Sequence, residues 1–305
     1  MKRLIMCLFA AVMMLCAFGC MKPGLQAEEI RLIGVLQPNL TSSWQLQLKK
    51  DIDNAINEYD DIKCIYADAG NNVKKQIVNI EEMIKRKVDV IIVFPCDEQA
   101  IAPALKNAVE QGIYVIILGY APHDASAFTL QLFVNNYKIG YTAGEHACSA
   151  LKSKGIILEI QDDASLRFTQ ELKKGFLAAI EQCPDIEKEY VVVGYGTKDN
   201  AQYALTTSEI LEETDATIDY VFAHNNEMAK GANAVFSARG RRPIIIGTGI
   251  DIPDNMENTS IDATVIYQTL GKEAVQYAVR MMDGQVFEKS VEFDPVLFVE
   301  GDDEI

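Results

Sequence analysis

The chain has 305 residues, of which 49% are hydrophobic, and this composition excludes a disordered or fibrous protein. Its 44 acidic residues outnumber its 28 basic ones, which gives a net charge of −16. Because the acidic residues are scattered along the chain, this charge argues against a nucleic-acid partner and for a soluble acidic surface. The length suits about two domains of ordinary size.

The first twenty residues have the form of a secretory signal, with a basic start, the apolar run Leu4–Leu15, and then Ala17-Phe18-Gly19-Cys20. The last four residues resemble a bacterial lipobox, in which Cys20 would be acylated and become the new N-terminus. Residues 21–29 would then form a tether. An uncleaved membrane helix is the alternative, but the apolar run is short for a span. We therefore predict an exported lipoprotein anchored at a membrane face.

The cysteines beyond the signal are Cys64, Cys96, Cys148 and Cys183, which are far apart and have no C-x-x-C spacing. An exported protein could join them in disulfides. Each also lies in an apolar segment, where a free cysteine packs well, and we predict that they are mostly free. No metal or other cofactor is expected, because the sequence has no ligand cluster and its three histidines are not paired at ligand spacing.

From Ile30 onward the chain alternates short apolar runs with amphipathic segments, which predicts alternating strands and helices. The cap Thr41-Ser42-Ser43 opens the first helix, and Trp44 follows it. The next predicted elements are, in order, strand Lys63–Ala67, helix Val73–Arg86, strand Asp89–Phe94, helix Glu98–Gln111 and strand Ile113–Gly119. This order is typical of a doubly wound parallel sheet with right-handed crossovers.

The second half of the chain repeats this alternation of strands and helices after the strand Leu130–Asn135 and the helix Tyr137–Ser153. Its predicted elements are Gly155–Gln161, Arg167–Gln182, Tyr190–Gly194, Asn200–Glu213, Tyr220–Phe222, Glu227–Arg239 and Ile244–Gly247. Two more crossing segments, Ala263–Gln268 and Glu292–Phe298, flank a helix over Leu270–Asp283.

The stretch Asp219–Ala229 carries the main indication of function. Its strand Tyr220–Phe222 runs into the polar turn His224-Asn225-Asn226 before a helix opens at Glu227. In open α/β sheets, ligands bind beyond the carboxyl ends of strands, at turns of this kind. Asn225 either offers its amide to a ligand or caps the helix, and both readings suit asparagine.

This stretch resembles the F-A-x-N-D-E-M-A signature of type 1 periplasmic sugar-binding proteins, the ribose- and galactose-binding family of ABC importers. The resemblance extends from Ile30 to Phe298. It implies an α/β fold of two doubly wound parallel-sheet lobes joined by a three-crossing hinge. The implied first lobe is 30–133 plus 268–291, and the second is 134–267 plus 292–305. A small polar ligand, with a monosaccharide favoured, would be captured between the lobes and delivered to an ABC permease.

The resemblance also implies ligand-binding residues in the first half. Trp44, next to Ser43, stands where relatives carry an aromatic that stacks on a sugar, although packing in the core is the alternative. Phe94 begins a turn that is similar to the family's N-P-x-D and replaces an Asn that would contact sugar. Tyr120 follows Gly119 where relatives have Asp-Arg or Asp-Ser. Asn135 precedes the next helix, as an Asp does in relatives.

In the second half, the gap-free register places Gln170 where relatives carry a sugar-binding Arg. Arg167 could take that role, since i and i+3 share a helix face, or it is a surface charge. Tyr195 lies near a second stacking aromatic of the family. Asp251 lies in Gly247–Asp254, which resembles the G-x-D-x-x-P-E turn with an insertion that could place Gly249 there instead. The implied set is completed by Asn225 and by Gln268, which ends the second crossing.

Other functions are open at this level. A sensor subunit would present its ligand to a membrane receptor or a histidine kinase instead of a permease. A transcriptional regulator with the same two-lobed core would need a helix-turn-helix where this chain has its signal. We predict that the protein is not an enzyme, because no nucleophile elbow, phosphate loop or acid–base set is evident. We expect a monomer.

Overall fold

The computed structural model of the chain describes residues 30–161, 164–192, 217–250 and 261–301. Within these ranges the chain forms two six-stranded sheets, each with helices on both faces. The predictions for the signal, Cys20, the tether, the helix over 200–213, Tyr195 and Asp251 fall outside the described residues.

The first sheet has the order β11-β5-β4-β3-β1-β2, and all its strands are parallel. Its strands are β1 (Arg31–Gln37), β2 (Ile62–Asp68), β3 (Val90–Val93), β4 (Tyr114–Leu118), β5 (Leu130–Val134) and β11 (Ser290–Phe293). Every residue of β3 is buried, as expected for a continuous apolar run in a parallel sheet covered on both faces. Register is fixed by pairs such as Ile33 with Val90.

Four helices cover this sheet: α1 (Ser43–Ile56), α2 (Val73–Lys85), α3 (Glu98–Glu110) and α7 (Gly271–Met282). Helices α1 and α7 bury side chains such as Ile52 and Val275 against one face. Helices α2 and α3 bury side chains such as Ile80 and Leu105 against the other. Ser42, Asn72 and Asp97 cap the first three of these helices with their side-chain oxygens, as such residues do at helix starts.

The second sheet has the order β12-β10-β9-β8-β6-β7, with only β12 antiparallel to its neighbour β10. Its strands are β6 (Lys154–Gln161), β7 (Asp185–Val192), β8 (Tyr220–Ala223), β9 (Ile244–Gly249), β10 (Ala263–Ile266) and β12 (Val296–Val299). Helices α4 (Asn136–Ala150) and α5 (Arg167–Ile180) cover one face, and α6 (Asn226–Ala238) covers the other.

Helices α4 and α5 approach so closely that glycine is required between them. A Cβ added at Gly140 would lie 1.9 Å from the carbonyl oxygen of Leu172, and one added at Gly175 would lie 1.9 Å from that of Tyr137. This packing fixes how α5 lies against α4, and therefore the side chains that it presents to the other lobe.

The chain passes between the sheets three times: from β5 to α4, from β10 to α7 and from β11 to β12. The boundaries differ slightly from those predicted. Val134 pairs with Phe293 in the first sheet, so that lobe extends to both residues instead of ending at 133 and 291. The predicted third crossing, Glu292–Phe298, contains parts of two strands, β11 and β12, which Asp294 and Pro295 separate because proline cannot donate to a strand ladder.

The prediction that the cysteines are mostly free is wrong for one pair. Cys148, in the last turn of α4, forms a disulfide with Cys183, just beyond α5. The close packing of the two helices brings these residues together. Cys64 and Cys96 are free thiols, and burial raises the pKa of Cys64 to about 12.

Among the described helices, none combines the length and apolar character needed to cross a bilayer. The same residues contain no group of three or more His, Cys, Asp or Glu side chains placed to hold a metal ion.

Candidate functional site

A cavity of about 630 Å³ lies between the two lobes. It is formed at the carboxyl ends of first-lobe strands, at the starts of α4 and α5, and along the second crossing. In a parallel α/β sheet this is the edge at which ligands bind. The predicted ligand-binding residues that line it are Trp44, Phe94, Tyr120, Asn135, Arg167 and Gln268.

Two predicted residues have other surroundings. Gln170 is exposed, and its side-chain nitrogen donates to the carbonyl oxygen of Ala164 at 3.0 Å. It lies away from the cavity because α5 presents Arg167, Glu171 and Lys174, at positions i, i+4 and i+7, to that space. Asn225 caps α6 and accepts a hydrogen bond from the Met228 backbone at 2.8 Å. Ser43 is the first residue of α1.

The first-lobe wall of the cavity is aromatic. The ring centroids of Trp44 and Phe94 are 4.8 Å apart, with an angle of 53° between the planes. Trp44 is the second residue of α1, two positions after the Ser42 cap, and Phe94 directly follows β3. Gly119 has a φ of +83°, and a Cβ placed there would lie 3.4 Å from the Phe94 ring. Glycine therefore permits both the turn after β4 and the position of the Phe94 ring.

A second aromatic pair faces the cavity from the other lobe and the second crossing. The rings of Phe168 and Tyr267 have centroids 6.1 Å apart, and both residues line the cavity. Tyr137 lines it as well, and its ring stacks on Tyr141. Aromatic faces on both sides of a cleft suit a flat ligand that presents C–H groups.

Polar contacts join the lobes beside these rings, through four side chains that we call the interlobe polar cluster: Tyr120, Asn136, Arg167 and Glu171. The Tyr120 hydroxyl donates to Glu171 Oε2 at 2.8 Å and accepts from Asn136 Nδ2 at 2.7 Å. Arg167 Nε donates to Glu171 Oε1 at 2.8 Å, and its guanidinium lies 4.0 Å from the Tyr120 ring centroid. Burial and the Glu171 acceptor raise the pKa of Tyr120. The hydrogen bond to Glu171 raises the pKa of Arg167.

The hinge is held by ionic contacts at its third crossing. Lys138 Nζ lies 2.7 Å from Glu292 Oε1 and 2.6 Å from Asp294 Oδ1. These hydrogen bonds, to Asp294 first, raise the pKa of Lys138. Asn135 caps α4 with its oxygen and donates its amide to Glu292 at 3.2 Å. Its side chain is thus engaged in positioning the hinge.

Gln268 differs from Asn135 in this respect. Its side chain makes no hydrogen bond to any residue in the described ranges, so its amide is available at the cavity wall. Thr269, the next residue, is tied to Asp51 of α1 by a 2.5 Å hydrogen bond.

Sequence reasoning missed several residues of this cavity, including Gln131, Asn136, Tyr137, Phe168, Glu171, Lys174 and Tyr267. For two of them a signal existed. Glu171 and Lys174 follow Arg167 at helical spacing and therefore share its face. The aromatics carry no local signal that separates a cleft position from a core position.

Comparison with known proteins identifies the family to which this chain belongs. Residues 33–286 match the family model described as periplasmic binding protein domain. The chain belongs to the periplasmic binding protein family. It is 27% identical over 263 residues to the ribose import binding protein RbsB of Bacillus subtilis (strain 168), covering 85% of this chain and 84% of that protein. It is also 27% identical to a putative rhizopine-binding protein of Rhizobium meliloti, covering 87% and 89%.

Solved structures share the fold. The fructose-binding periplasmic domain of a hybrid two-component system superimposes with a TM-score of 0.74 at 24% identity, covering 89% of this chain and 91% of that one. An ABC transporter solute-binding protein from Bacillus halodurans C-125 with bound myo-inositol gives a TM-score of 0.76 at 23% identity, covering 90% and 96%.

These findings confirm the predicted family and fold class. The family consists of extracytoplasmic ligand-binding proteins of transport systems, and the chain is accordingly a solute-binding protein.

Proposed function

We propose that this protein captures a monosaccharide between its lobes and delivers it to an ABC permease. The observation that carries this proposal is the cavity itself, with aromatic pairs on both sides, Trp44 with Phe94 and Phe168 with Tyr267. A sugar ring presents apolar C–H faces to such rings and hydroxyls around its edge. Relatives named for ribose import support a sugar as the ligand.

The proposed contacts follow from the groups at the cavity wall. Trp44 and Phe94 stack on the ligand, the Gln268 amide donates to and accepts from hydroxyls, and Arg167 donates at the far end. Tyr120 and Asn135 shape the wall. Asn225 remains a proposed contact through its amide nitrogen, since its oxygen caps α6. Tyr195 and Asp251 are proposed on the family resemblance.

A thermal-shift screen tests this function. The mature chain would be unfolded and refolded to remove any ligand bound during expression, and then scanned with pentoses, hexoses, inositols and nucleosides. A sugar present at about a hundred times its dissociation constant should add roughly 2.7 kcal/mol of stability. Calorimetric titration would then measure the affinity and the stoichiometry. A nucleoside response without any sugar response would overturn the sugar assignment, and no response at all would overturn the solute-binding site.

A sensor role is the second candidate, since a fructose-binding domain of a hybrid two-component system shares this fold. Uptake of the labelled sugar distinguishes the two. Cells that lack this protein should lose uptake if it serves a permease. They should keep uptake and lose only the transcriptional response to the sugar if it serves a kinase or receptor.

We further propose that Cys20 is acylated and holds the protein, as a monomer, at the outer side of a membrane. The lipobox resemblance supports this anchor, because two acyl chains are enough for stable attachment. Metabolic labelling with a clickable palmitate analogue should mark the wild-type protein and not a Cys20→Ser variant. Labelling that persists in the variant would place the anchor elsewhere.

A further inference from the structure

Glu171 is the central member of the interlobe polar cluster. One carboxylate oxygen accepts from Arg167 Nε at 2.8 Å, and the other accepts from the Tyr120 hydroxyl at 2.8 Å and from Asn136 Nδ2 at 3.2 Å. Both oxygens are therefore occupied by the protein's own donors. A carboxylate used in this way orients the side chains that donate to it.

The cluster also connects the two lobes. Tyr120 follows β4 of the first sheet, whereas Asn136, Arg167 and Glu171 lie on α4 and α5, which cover the second. A further ionic contact also joins the two lobes, since Arg167 Nη1 lies 3.8 Å from Glu98 Oε1 in the first turn of α3. Hydrogen bonds to a carboxylate are the stronger kind, and those that Tyr120 and Asn136 donate to Glu171 are partly buried, where salt screens them less than at the surface.

These contacts need no ligand to complete them. The Tyr120 hydroxyl donates once and accepts once within the cluster, so its hydrogen bonding is satisfied by protein groups alone. The lobes can therefore meet through side chains of the chain itself, with the aromatic pairs already in place around the cavity.

We propose that Glu171 is a positioning residue of the proposed sugar site: it holds Tyr120, Asn136 and Arg167 in place and keeps the lobes closed in the absence of ligand. This inference rests on the proposed function for the meaning of the site. The closure itself is independent of which solute binds, and it is measured on ligand-free protein.

Trp44 provides the readout, because it is the only tryptophan in the chain and lines the cavity. The experiment compares refolded, ligand-free wild type with Tyr120→Phe, with Glu171→Ala and with the double variant. Trp44 emission reports hydration of the cavity, and the radius of gyration from small-angle X-ray scattering reports separation of the lobes. Thermal unfolding verifies that each variant is folded.

We expect both single variants to show red-shifted Trp44 emission and a larger radius of gyration. The ratio of closed to open molecules should fall about tenfold or more, as for loss of a hydrogen bond to a charged group. The double variant should open little further than Glu171→Ala, because the two residues share one interaction. Should Glu171→Ala not fold, Tyr120→Phe, which removes a single oxygen, decides the question alone.

Two variants serve as matched controls. Glu181→Ala removes an exposed acid just beyond the far end of α5, and Tyr59→Phe removes a hydroxyl that bonds to no residue in the described ranges. Both should behave as wild type. If Tyr120→Phe and Glu171→Ala also keep wild-type emission and radius of gyration, the cluster does not hold the lobes closed and the inference fails. That outcome would leave a positive sugar screen, and therefore the proposed function, untouched.

Discussion

Glu159 and His224 form a buried pair inside the second lobe, with 2.9 Å between Glu159 Oε1 and His224 Nε2 and side-chain exposures of 2% and 0%. The pair links β6 to the turn that follows β8, since the His224 backbone nitrogen also donates to Ile160 of β6. It therefore fixes the turn in which Asn225 lies. This polar contact lies within the apolar core of the second lobe.

Replacing His224 with Leu should destabilise the protein strongly. The change leaves the Glu159 carboxyl buried without its hydrogen-bond partner, and leaving a buried polar group unpaired costs about 1–3 kcal/mol or more. Urea unfolding followed by far-UV circular dichroism measures the loss. The control is His123→Leu, at an exposed loop position, which should change stability by less than about 0.5 kcal/mol. Equal stability of the two variants would contradict the structural role of the pair.

Arg167 and Gln170 should differ in their effect on ligand affinity, although they are three residues apart. Arg167 lines the cavity, and Gln170 is exposed and bonded to Ala164. With the sugar that gives the largest thermal shift, Arg167→Ala should weaken binding about tenfold or more, the loss expected for a charge-assisted hydrogen bond. Gln170→Ala should bind as wild type. Calorimetric titration decides, and a larger loss for Gln170→Ala would favour the register inferred from the family over the observed geometry.

Trp44→Ala should weaken the binding free energy of the same sugar by about 2 kcal/mol or more, since aromatic anchors in closed sites carry much of the binding energy. Calorimetric titration measures this loss. Trp44→Phe should restore most of it, because the remaining ring can still pack on Phe94 and on the ligand. If Trp44→Ala keeps full affinity, the ring is a packing residue of α1 and not a ligand contact.

Gly175→Ala should destabilise the second lobe without contacting the cavity. The new methyl group would overlap the Tyr137 carbonyl oxygen, so α4 and α5 must separate, at a cost of about 1–3 kcal/mol or more. Ser149→Ala, at an exposed position on α4, is the matched control and should be neutral. The midpoint of thermal unfolding distinguishes them, and a neutral Gly175→Ala would show that the two helices are not in such close contact.

Reduction of the Cys148–Cys183 disulfide should lower the free energy of unfolding by about 2–4 kcal/mol, because the bond restricts the unfolded chain over a separation of 35 residues. Urea unfolding with and without dithiothreitol measures this difference. A Cys148→Ala/Cys183→Ala variant should no longer respond to the reductant. A response that persists in the variant would point to a different pairing.

Much of the fold could be predicted because its signals are local. The buried runs of β3 and β4 and the caps at Ser42, Asn72 and Asp97 determine strands and helix starts within a few residues of sequence. The order of the elements then limits the topology to a doubly wound sheet with right-handed crossovers. The third crossing, Glu292–Phe298, could also be predicted, and in the structure Asp294 and Pro295 divide it between β11 and β12.

The sequence by itself determined that this protein has two α/β lobes, and its resemblance to the family predicted that Trp44 and Phe94 lie at the cleft, where both line the cavity. Only the tertiary structure decided which side of α5 faces the cavity, which cysteines meet, and that Glu171 joins Tyr120 across the lobes. The physical reason is that periodicity and capping act over a few residues. The rotation of α5 depends instead on its glycine contact with α4, and the Tyr120–Glu171 bond joins residues 51 positions apart that only the hinge brings together.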